Sequence, residues 1–152
     1  MIVYRIVKTK HAKDLTGEGA RLNGGRCNHK LTPCIYTSES RSLALLEYSV
    51  NVNIEEIPRA LSFTIFEIPD DGILEIKQEQ LPGNWKDVPA PSSTKDFGTA
   101  LLKSAEKHVF KIPSLVIYQE FNYVLNPLHT YSSSFKILDI IDFVFDVRIK
   151  VK

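Results

Sequence analysis

The sequence predicts a single α+β domain that is rich in strands and has about two main helices. The chain has 152 residues, which lies within the usual range of about 100–200 residues for one domain. Its composition, 43% hydrophobic and 24% charged, is typical of a globular protein with one core and excludes a disordered or disulfide-dependent chain. Segments with the period of strands outnumber segments with the period of helices. Because neither half is long enough for a comfortable core of its own, we treat residues 1–152 as one domain.

In the first half of the chain, alternating apolar residues and flanking turn residues predict three strands. These strands lie at residues 2–7, 34–37 and 60–68. Between the first two lies a loop at residues 16–26, which holds four of the seven glycines and therefore indicates a backbone shaped for close approach. A helix is predicted over residues 40–50, with Ser38 or Ser40 as its N-cap.

In the second half, a proline-rich connection at residues 81–91 separates further strands from a second long helix. The helix is predicted over residues 92–108, with Ser93 or Thr94 as its cap. Pro113 is expected to begin a strand, whose continuation ends at Asn126. The predicted strands lie at residues 73–79, 115–118 and 135–148.

The first long helix carries an acidic residue on its predicted buried face. Leu43, Leu46 and Val50 have the spacing of one apolar stripe, and Glu47 falls beside them. A carboxylate on such a face must be paired or hydrogen-bonded. Glu47 is therefore a candidate functional residue. A structural salt bridge to an internal arginine, or a head group that reaches water at the edge of the stripe, explains it equally well.

Charge and hydropathy argue against nucleic-acid and membrane partners. Nineteen Lys and Arg against eighteen Asp and Glu give a net charge of +1, whereas nucleic-acid binders normally have a strong basic excess. Arg5 interrupts the apolar run that a signal peptide would need. The late apolar stretch at residues 135–147 is broken by charges and is too short to span a bilayer. We therefore expect a cytoplasmic protein.

Common catalytic and metal-binding motifs are missing from the sequence. No Walker loop, dinucleotide fingerprint or metalloprotease helix occurs. Cys27 and Cys34 are too few for a zinc site and are expected to be small buried side chains. The histidines lack metal-ligand spacing; His108 is expected at the core or a helix edge and the others on loop surfaces. They are His11, His29, His108 and His129. Neither a Ser–His–Asp triad nor a cysteine nucleophile has support, and no metal site is expected.

Five short motifs occur in an order that is informative as a set. They are Gly24-Gly25-Arg26-Cys27-Asn28, Ile35-Tyr36-Thr37-Ser38, Ala44-Leu45-Leu46-Glu47, Pro113-Ser114 and Asn122-Tyr123-Val124-Leu125-Asn126-Pro127. Together they resemble the RES domain family, which is named for an arginine, a glutamate and a serine that its members share. The resemblance extends over nearly the whole chain, from Tyr4 to Arg148.

This resemblance implies a fold similar to that of the mono-ADP-ribosyltransferases. It implies the toxin of a bacterial toxin–antitoxin pair, which consumes NAD or transfers ADP-ribose from it. NAD would be the substrate, with no further cofactor. The expected partner is a helix-turn-helix (Xre-like) antitoxin that binds DNA itself and blocks the toxin's pocket. A homodimer is left open.

The resemblance also implies roles for individual residues. The catalytic positions are Arg26, Tyr36, Glu47 and Ser114, and the substrate-binding positions are Arg5, Gly25, Asn28, Asn122 and Asn126. A carboxylate suits the oxocarbenium-like centre that forms when a glycosidic bond breaks. Arginines suit a pyrophosphate, which their planar fork can bind bidentately, and backbone N–H groups of the Gly24-Gly25 loop would assist.

Three of these roles have structural alternatives. Tyr36 would stack on the nicotinamide ribose or hydrogen-bond to it, but a core tyrosine with an exposed hydroxyl fits the pattern as well. Ser114 would position the substrate or the attacking group, but a strand-edge serine bonded to the backbone is a rival interpretation. Asn126 precedes Pro127, which also suits a turn residue.

Two residues depart from the family pattern and keep other functions open. Cys27 stands where tryptophan is usual, and Leu31 stands where glycine is usual. Either the bulky Leu31 changes the loop that closes the pocket, or the turn avoids a left-handed conformation. The leading hypothesis is NAD cleavage by hydrolysis or phosphorolysis. The alternatives are an ADP-ribosyltransferase that modifies a host protein and an inactive binding module that keeps the fold and the antitoxin contact.

Overall fold

A computed structural model describes residues 1–151, within which seven strands form one sheet that carries three α-helices. The strands are β1 (Ile2–Lys8), β2 (Ile35–Ser38), β3 (Leu61–Glu67), β4 (Ile73–Glu75), β5 (Val109–Pro113), β6 (Phe121–Leu125) and β7 (Lys136–Phe143). The helices are α1 (Glu18–Asn23), α2 (Arg41–Asn51) and α3 (Ser92–Ser104). The predicted α+β class is confirmed. None of the described helices has the length and apolar character needed to cross a membrane.

The sheet consists of two halves that meet at one point. Its strand order is β4-β5-β6-β2-β1-β3-β7, and all neighbours are antiparallel except β4 and β5. β1 pairs with β3 along its whole length. Among the described residues, however, Tyr4 and Ser38 are the one register pair between β1 and β2. The halves β4-β5-β6-β2 and β1-β3-β7 therefore diverge on either side of this pair.

The two longer helices pack on the same face of the sheet but on different halves. Ala44 of α2 packs with Ile6 and Phe63 of the β1-β3-β7 half. Leu102 of α3 packs with Phe110, in the β4-β5-β6-β2 half. The opposite face is covered by a separate apolar cluster that includes Val3, Phe66, Leu125 and Phe135. This arrangement leaves the junction of the half-sheets accessible between the helices.

Several predicted boundaries are confirmed and others are wrong. Ser40 is the N-cap of α2, since its Oγ accepts a hydrogen bond from the Leu43 N–H. The loop predicted at residues 16–26 contains the short helix α1, which a glycine-rich sequence does not suggest. α3 begins after Pro91 without a side-chain cap, so Ser93 and Thr94 are not its caps.

The largest error in element placement lies around Pro113. α3 ends at Ser104 because Ala105 adopts a left-handed conformation (φ 53°). The next residues form β5, which pairs with β6. Pro113 therefore ends a strand instead of beginning one, and residues 115–118 form a turn. Likewise, the strand predicted at residues 73–79 is limited to β4.

The apolar stripe predicted on α2 is also wrong in part. Leu43 is buried, but Leu46 is 36% exposed and Val50 is 60% exposed. The buried face is instead rotated toward Ala44 and Tyr48, because these side chains meet the β1-β3-β7 half-sheet. Glu47 flanks this face and is half-buried.

Leu31 retains the left-handed backbone that glycine usually provides, with φ of 78°, while its side chain is 76% exposed. A left-handed conformation costs a residue with a Cβ about 1–2 kcal/mol, and glycine loses part of that advantage through its greater freedom in the unfolded chain. We expect Leu31→Gly to raise the free energy of unfolding by about 0.5–1 kcal/mol. Urea unfolding measures this change. Lys30→Gly, next to it and without a positive φ, should show no gain; an equal gain in both variants would contradict the explanation.

Candidate active site

A cavity of about 830 Å³ lies at the junction of the two half-sheets. β1 and β2 line it with residues on either side of their single pair, including Arg5 and Thr37. α2 contributes one face that includes Ala44 and Glu47, and the glycine-rich segment contributes Arg26. The divergence of β1 from β2 therefore creates the space, and the elements around it supply its polar groups.

The Glu47 carboxylate is held by one of its two oxygens. Oε1 accepts hydrogen bonds from Ser114 Oγ at 2.6 Å and from Asn122 Nδ2 at 2.7 Å. Within residues 1–151, neither a hydrogen bond nor a salt bridge engages Oε2. The alternative of a salt bridge to an internal arginine is therefore not what the structure shows. Two neutral donors fix the carboxylate and leave its second oxygen for a ligand in the cavity.

Ser114 and Asn122 are themselves fixed by further hydrogen bonds. Ser114 is fully buried, and its Oγ accepts from the N–H groups of Val116 and Ile117. The Asn122 Oδ1 accepts from Ser38 Oγ at 2.7 Å. These bonds orient both donors toward Glu47. Ser114 is thus bonded to the backbone, as its structural alternative proposes, and it also positions the Glu47 carboxylate.

Arg26 is held by backbone carbonyls and not by a carboxylate. Its Nη1 donates to the carbonyl oxygens of Trp85 at 3.1 Å and Asp87 at 2.9 Å, in the proline-rich loop. The preceding residue must be small, because a Cβ on Gly25 would lie 2.6 Å from the Tyr36 hydroxyl oxygen. Carbonyl oxygens orient the guanidinium without neutralising it, so its positive charge remains for an anionic ligand.

The Tyr36 hydroxyl supports the loop that carries Arg26. It donates to Asn28 Oδ1 at 2.5 Å and accepts from the Cys27 N–H at 3.0 Å. Burial raises the pKa of Tyr36 well above its ordinary value, so the phenol stays protonated. The hydroxyl proton is thereby committed to Asn28 rather than to a ribose, while other atoms of Tyr36 line the cavity.

Two predicted substrate-binding residues, Asn28 and Asn126, do not line the cavity. Both are fully buried. Asn28 Nδ2 donates to the carbonyls of Ala20 and Thr32, which fixes the glycine-rich segment. Asn126 Nδ2 donates to the Leu102 carbonyl, and its Oδ1 accepts from the Leu128 N–H. Asn126 is therefore a turn residue, which agrees with the structural alternative given for it above. The amides of Asn28 and Asn126 are both used by protein hydrogen bonds, so neither is available to a ligand.

Arg5 is the second arginine among the residues that line the cavity. Its Nη2 lies 3.2 Å from the Asp14 carbonyl oxygen and 3.3 Å from that of Ala12, and its guanidinium stacks on the Phe66 ring. Burial lowers the pKa of Arg5 to about 10, and the nearby Asp14 carboxylate opposes this shift. The group therefore stays charged at neutral pH.

The cysteines do not serve as nucleophiles in this arrangement. Burial raises the pKa of both Cys27 and Cys34 to about 12, so both thiols are protonated at neutral pH. His108 is buried, as expected, and is not among the residues that line the cavity. Within the part of the chain that the structure describes, no group of three or more His, Cys, Asp or Glu side chains has the arrangement of a metal site.

The sequence does not reveal the partners of Arg26. The proline-rich loop is conspicuous in composition, but its contact with Arg26 is made by the backbone of Trp85 and Asp87. Backbone carbonyls are present at every residue and leave no trace in a pattern of side chains. The sequence also does not reveal that Ser114 and Asn122 donate to the same oxygen of Glu47, because this depends on the register of β5 and β6.

Comparisons with known proteins agree with this fold. The sequence model of the RES domain family matches residues 2–146 of this chain. The chain is 37% identical over 154 residues to "Toxin Res" of Yersinia enterocolitica, covering 99% of this chain and 100% of that protein. It is 30% identical to the "Prs ADP-ribosylating toxin" of Sphingobium sp., covering 93% and 89%. Among solved structures, the M. tuberculosis MbcT–MbcA toxin–antitoxin complex contains a similar fold, with a TM-score of 0.75 at 20% identity over 94% of this chain and 84% of that chain.

Proposed function

This chain belongs to the RES domain family of toxins, and we propose that it acts by cleaving the nicotinamide–ribose bond of NAD. The observation that carries this proposal is the Glu47 carboxylate, which two neutral donors hold by Oε1 and which keeps Oε2 free at a cavity with two arginines. Glu47 is also the one carboxylate residue among the described residues that line this cavity. The residues that line the cavity thus include one carboxylate and two arginines.

The proposed chemistry follows from how charge moves in the reaction. When the bond breaks, its electron pair leaves with nicotinamide, and positive charge develops on the anomeric carbon and ring oxygen of the ribose. A carboxylate oxygen next to that centre stabilises the charge. Because Ser114 and Asn122 fix the other oxygen, Glu47 needs little reorganisation as the charge develops.

The arginines fit the other charged part of NAD. The pyrophosphate is anionic, and a guanidinium whose remaining N–H groups are free can donate to two phosphate oxygens at once. Arg26 uses Nη1 for the carbonyls of Trp85 and Asp87, which leaves Nη2 and Nε without a described protein partner. Arg5 would add positive charge to the same cavity. We propose Arg26 as the principal pyrophosphate ligand.

The acceptor defines a second candidate function. Water or phosphate would give NAD hydrolysis or phosphorolysis, whereas a protein side chain would give ADP-ribosylation. The Sphingobium relative is named an ADP-ribosylating toxin, which supports ADP-ribosylation as the second candidate function. The ordered bonds of Glu47 and Arg26 favour an enzyme over an inactive binding module, although Cys27 and Leu31 depart from the family pattern.

An antitoxin partner is also proposed for this chain. The similar tuberculosis structure is a toxin–antitoxin complex, which supports an antitoxin for this chain. The resemblance makes three further predictions: the antitoxin is of the helix-turn-helix type, the toxin forms a homodimer, and the toxin is located in the bacterial cytoplasm.

Incubating the purified protein with NAD tests the proposed reaction. We expect free nicotinamide to appear in chromatography of the mixture. The second product separates the acceptors: ADP-ribose indicates water, its phosphorylated form indicates phosphate, and biotin from labelled NAD on protein indicates transfer. In cells, induction should lower the NAD concentration before growth stops. No nicotinamide release under any of these conditions, with a folded protein, would contradict the proposal.

A further inference from the structure

We infer that helix α3 is a positioning element for Arg26, acting through Gly98 and Thr99, which lie outside the lining of the NAD cavity. The inference rests on the proposed function, because it takes the pyrophosphate of NAD as the ligand of Arg26. It goes beyond that function because it assigns a role in substrate affinity to residues that the ligand does not touch. Three sets of contacts carry it.

The first contact is a direct approach of backbone to backbone. Gly98 packs against Cys27, the residue after Arg26, and a Cβ at position 98 would overlap the Cys27 carbonyl oxygen. Gly98 is buried in the middle of α3, where glycine costs roughly 1 kcal/mol of helix stability relative to alanine. The close approach gives the reason for this unfavourable residue, since only glycine lets the helix touch the loop.

The second set of contacts holds the loop two residues further along. The Thr99 Oγ1 accepts a hydrogen bond from the His29 N–H at 2.9 Å. The His29 Nε2 also lies 2.5 Å from Asp96 Oδ1. The loop that carries Arg26 is therefore bonded to α3 through its backbone and through one side chain.

The third set connects α3 to the carbonyls that orient Arg26. The segment with Trp85 and Asp87 leads directly into α3, and Ser93 Oγ bonds to Asn84 Oδ1 at 2.6 Å. The loop that carries Arg26 therefore contacts α3 directly, and the carbonyls that orient its guanidinium belong to the segment that leads into the same helix. If the contacts with α3 are loosened, the loop must be ordered when NAD binds, and that entropic cost weakens binding.

Thr99→Val tests this inference because it keeps the shape of the side chain and removes the acceptor for the His29 N–H. One hydrogen bond accounts for roughly a threefold to tenfold change in affinity, and we expect the KM for NAD to rise by that factor. We expect kcat to stay within about twofold, since Glu47 is held by Ser114 and Asn122 on other elements. Thr99→Ser keeps the acceptor and should restore the KM.

Thr94→Val is the matched control. Thr94 is buried on the same helix, and its hydroxyl has no hydrogen-bond partner among the described residues, so valine removes no bond there. Its KM should equal that of the original protein. Equal KM values in Thr99→Val and Thr94→Val would overturn the inference and leave NAD cleavage standing, as would a fall in kcat as large as the rise in KM.

Hydrogen exchange separates failure of this inference from failure of the proposed function. The His29 amide should exchange faster in Thr99→Val than in Thr94→Val, with no ligand present. If the original protein releases no nicotinamide, the proposed function fails, and this exchange still reports whether α3 holds the loop. Equal exchange in the two variants would overturn the positioning role whatever the substrate.

Discussion

Replacing Glu47 with glutamine should reduce the kcat of NAD cleavage about a thousandfold, while the KM changes little. The amide oxygen of glutamine can still accept from Ser114 and Asn122. The amide NH₂ then occupies the position of Oε2, where it cannot stabilise positive charge on the ribose. The variant therefore isolates the loss of one negative charge from any change in shape. Initial rates of nicotinamide release over a range of NAD concentrations measure both constants.

Glu55→Gln is the control for this experiment, since Glu55 is exposed and lies in a short turn away from the cavity. It removes the same charge and should leave both constants unchanged. In cells, Glu47→Gln should allow growth and normal NAD concentrations at equal expression, and Glu55→Gln should not. A loss of kcat below tenfold in Glu47→Gln would show that the carboxylate does not stabilise the transition state.

The second large effect is expected for Arg26→Lys. Lysine keeps the charge but has one nitrogen, which cannot bond to the Trp85 and Asp87 carbonyls and also donate to two phosphate oxygens. A hydrogen bond to a charged group contributes about 1.5–3 kcal/mol, so the KM for NAD should rise about tenfold to a hundredfold. The change in kcat should be much smaller than that for Glu47→Gln. Trp85 is the one tryptophan of the sequence, and its fluorescence should report the altered contact.

Arg21→Lys is the matched control for Arg26→Lys. Arg21 lies on α1, pairs with Glu18 on the surface and does not line the cavity, so this variant makes the same chemical change at an arginine outside the lining. Its KM should equal that of the original protein. If Arg26→Lys also leaves the KM unchanged, Arg26 does not bind the pyrophosphate, and Arg5 becomes the candidate.

The α+β class was predictable because the periodic patterns of β1, β3 and α2 are local. The errors arise where tertiary contacts override local patterns. The helix predicted over residues 92–108 ends at Ser104, and the residues that follow pair with β6 as β5. In α2, spacing alone could not show that Ala44, and not Leu46, faces the sheet. The position of that face depends on where the half-sheet lies.

The site was predictable only in its residue types. Resemblance located Glu47 and Arg26, and the structure brings both to one cavity. It could not distinguish the asparagine that donates to Glu47 from the two that fix turns, because the amide of Asn122 has the same chemistry as those of Asn28 and Asn126. Only the three-dimensional neighbours of each amide decide its role.

The single pair between β1 and β2 has a mechanical consequence. α2 packs on the β1-β3-β7 half-sheet, whereas Ser114 and Asn122 belong to the other half. The two bonds to Glu47 Oε1 therefore form a second connection across a junction that Tyr4 and Ser38 alone would hold weakly. A ligand that binds the free Oε2 of Glu47 therefore contacts the one carboxylate whose other oxygen is bonded across the junction of the two half-sheets.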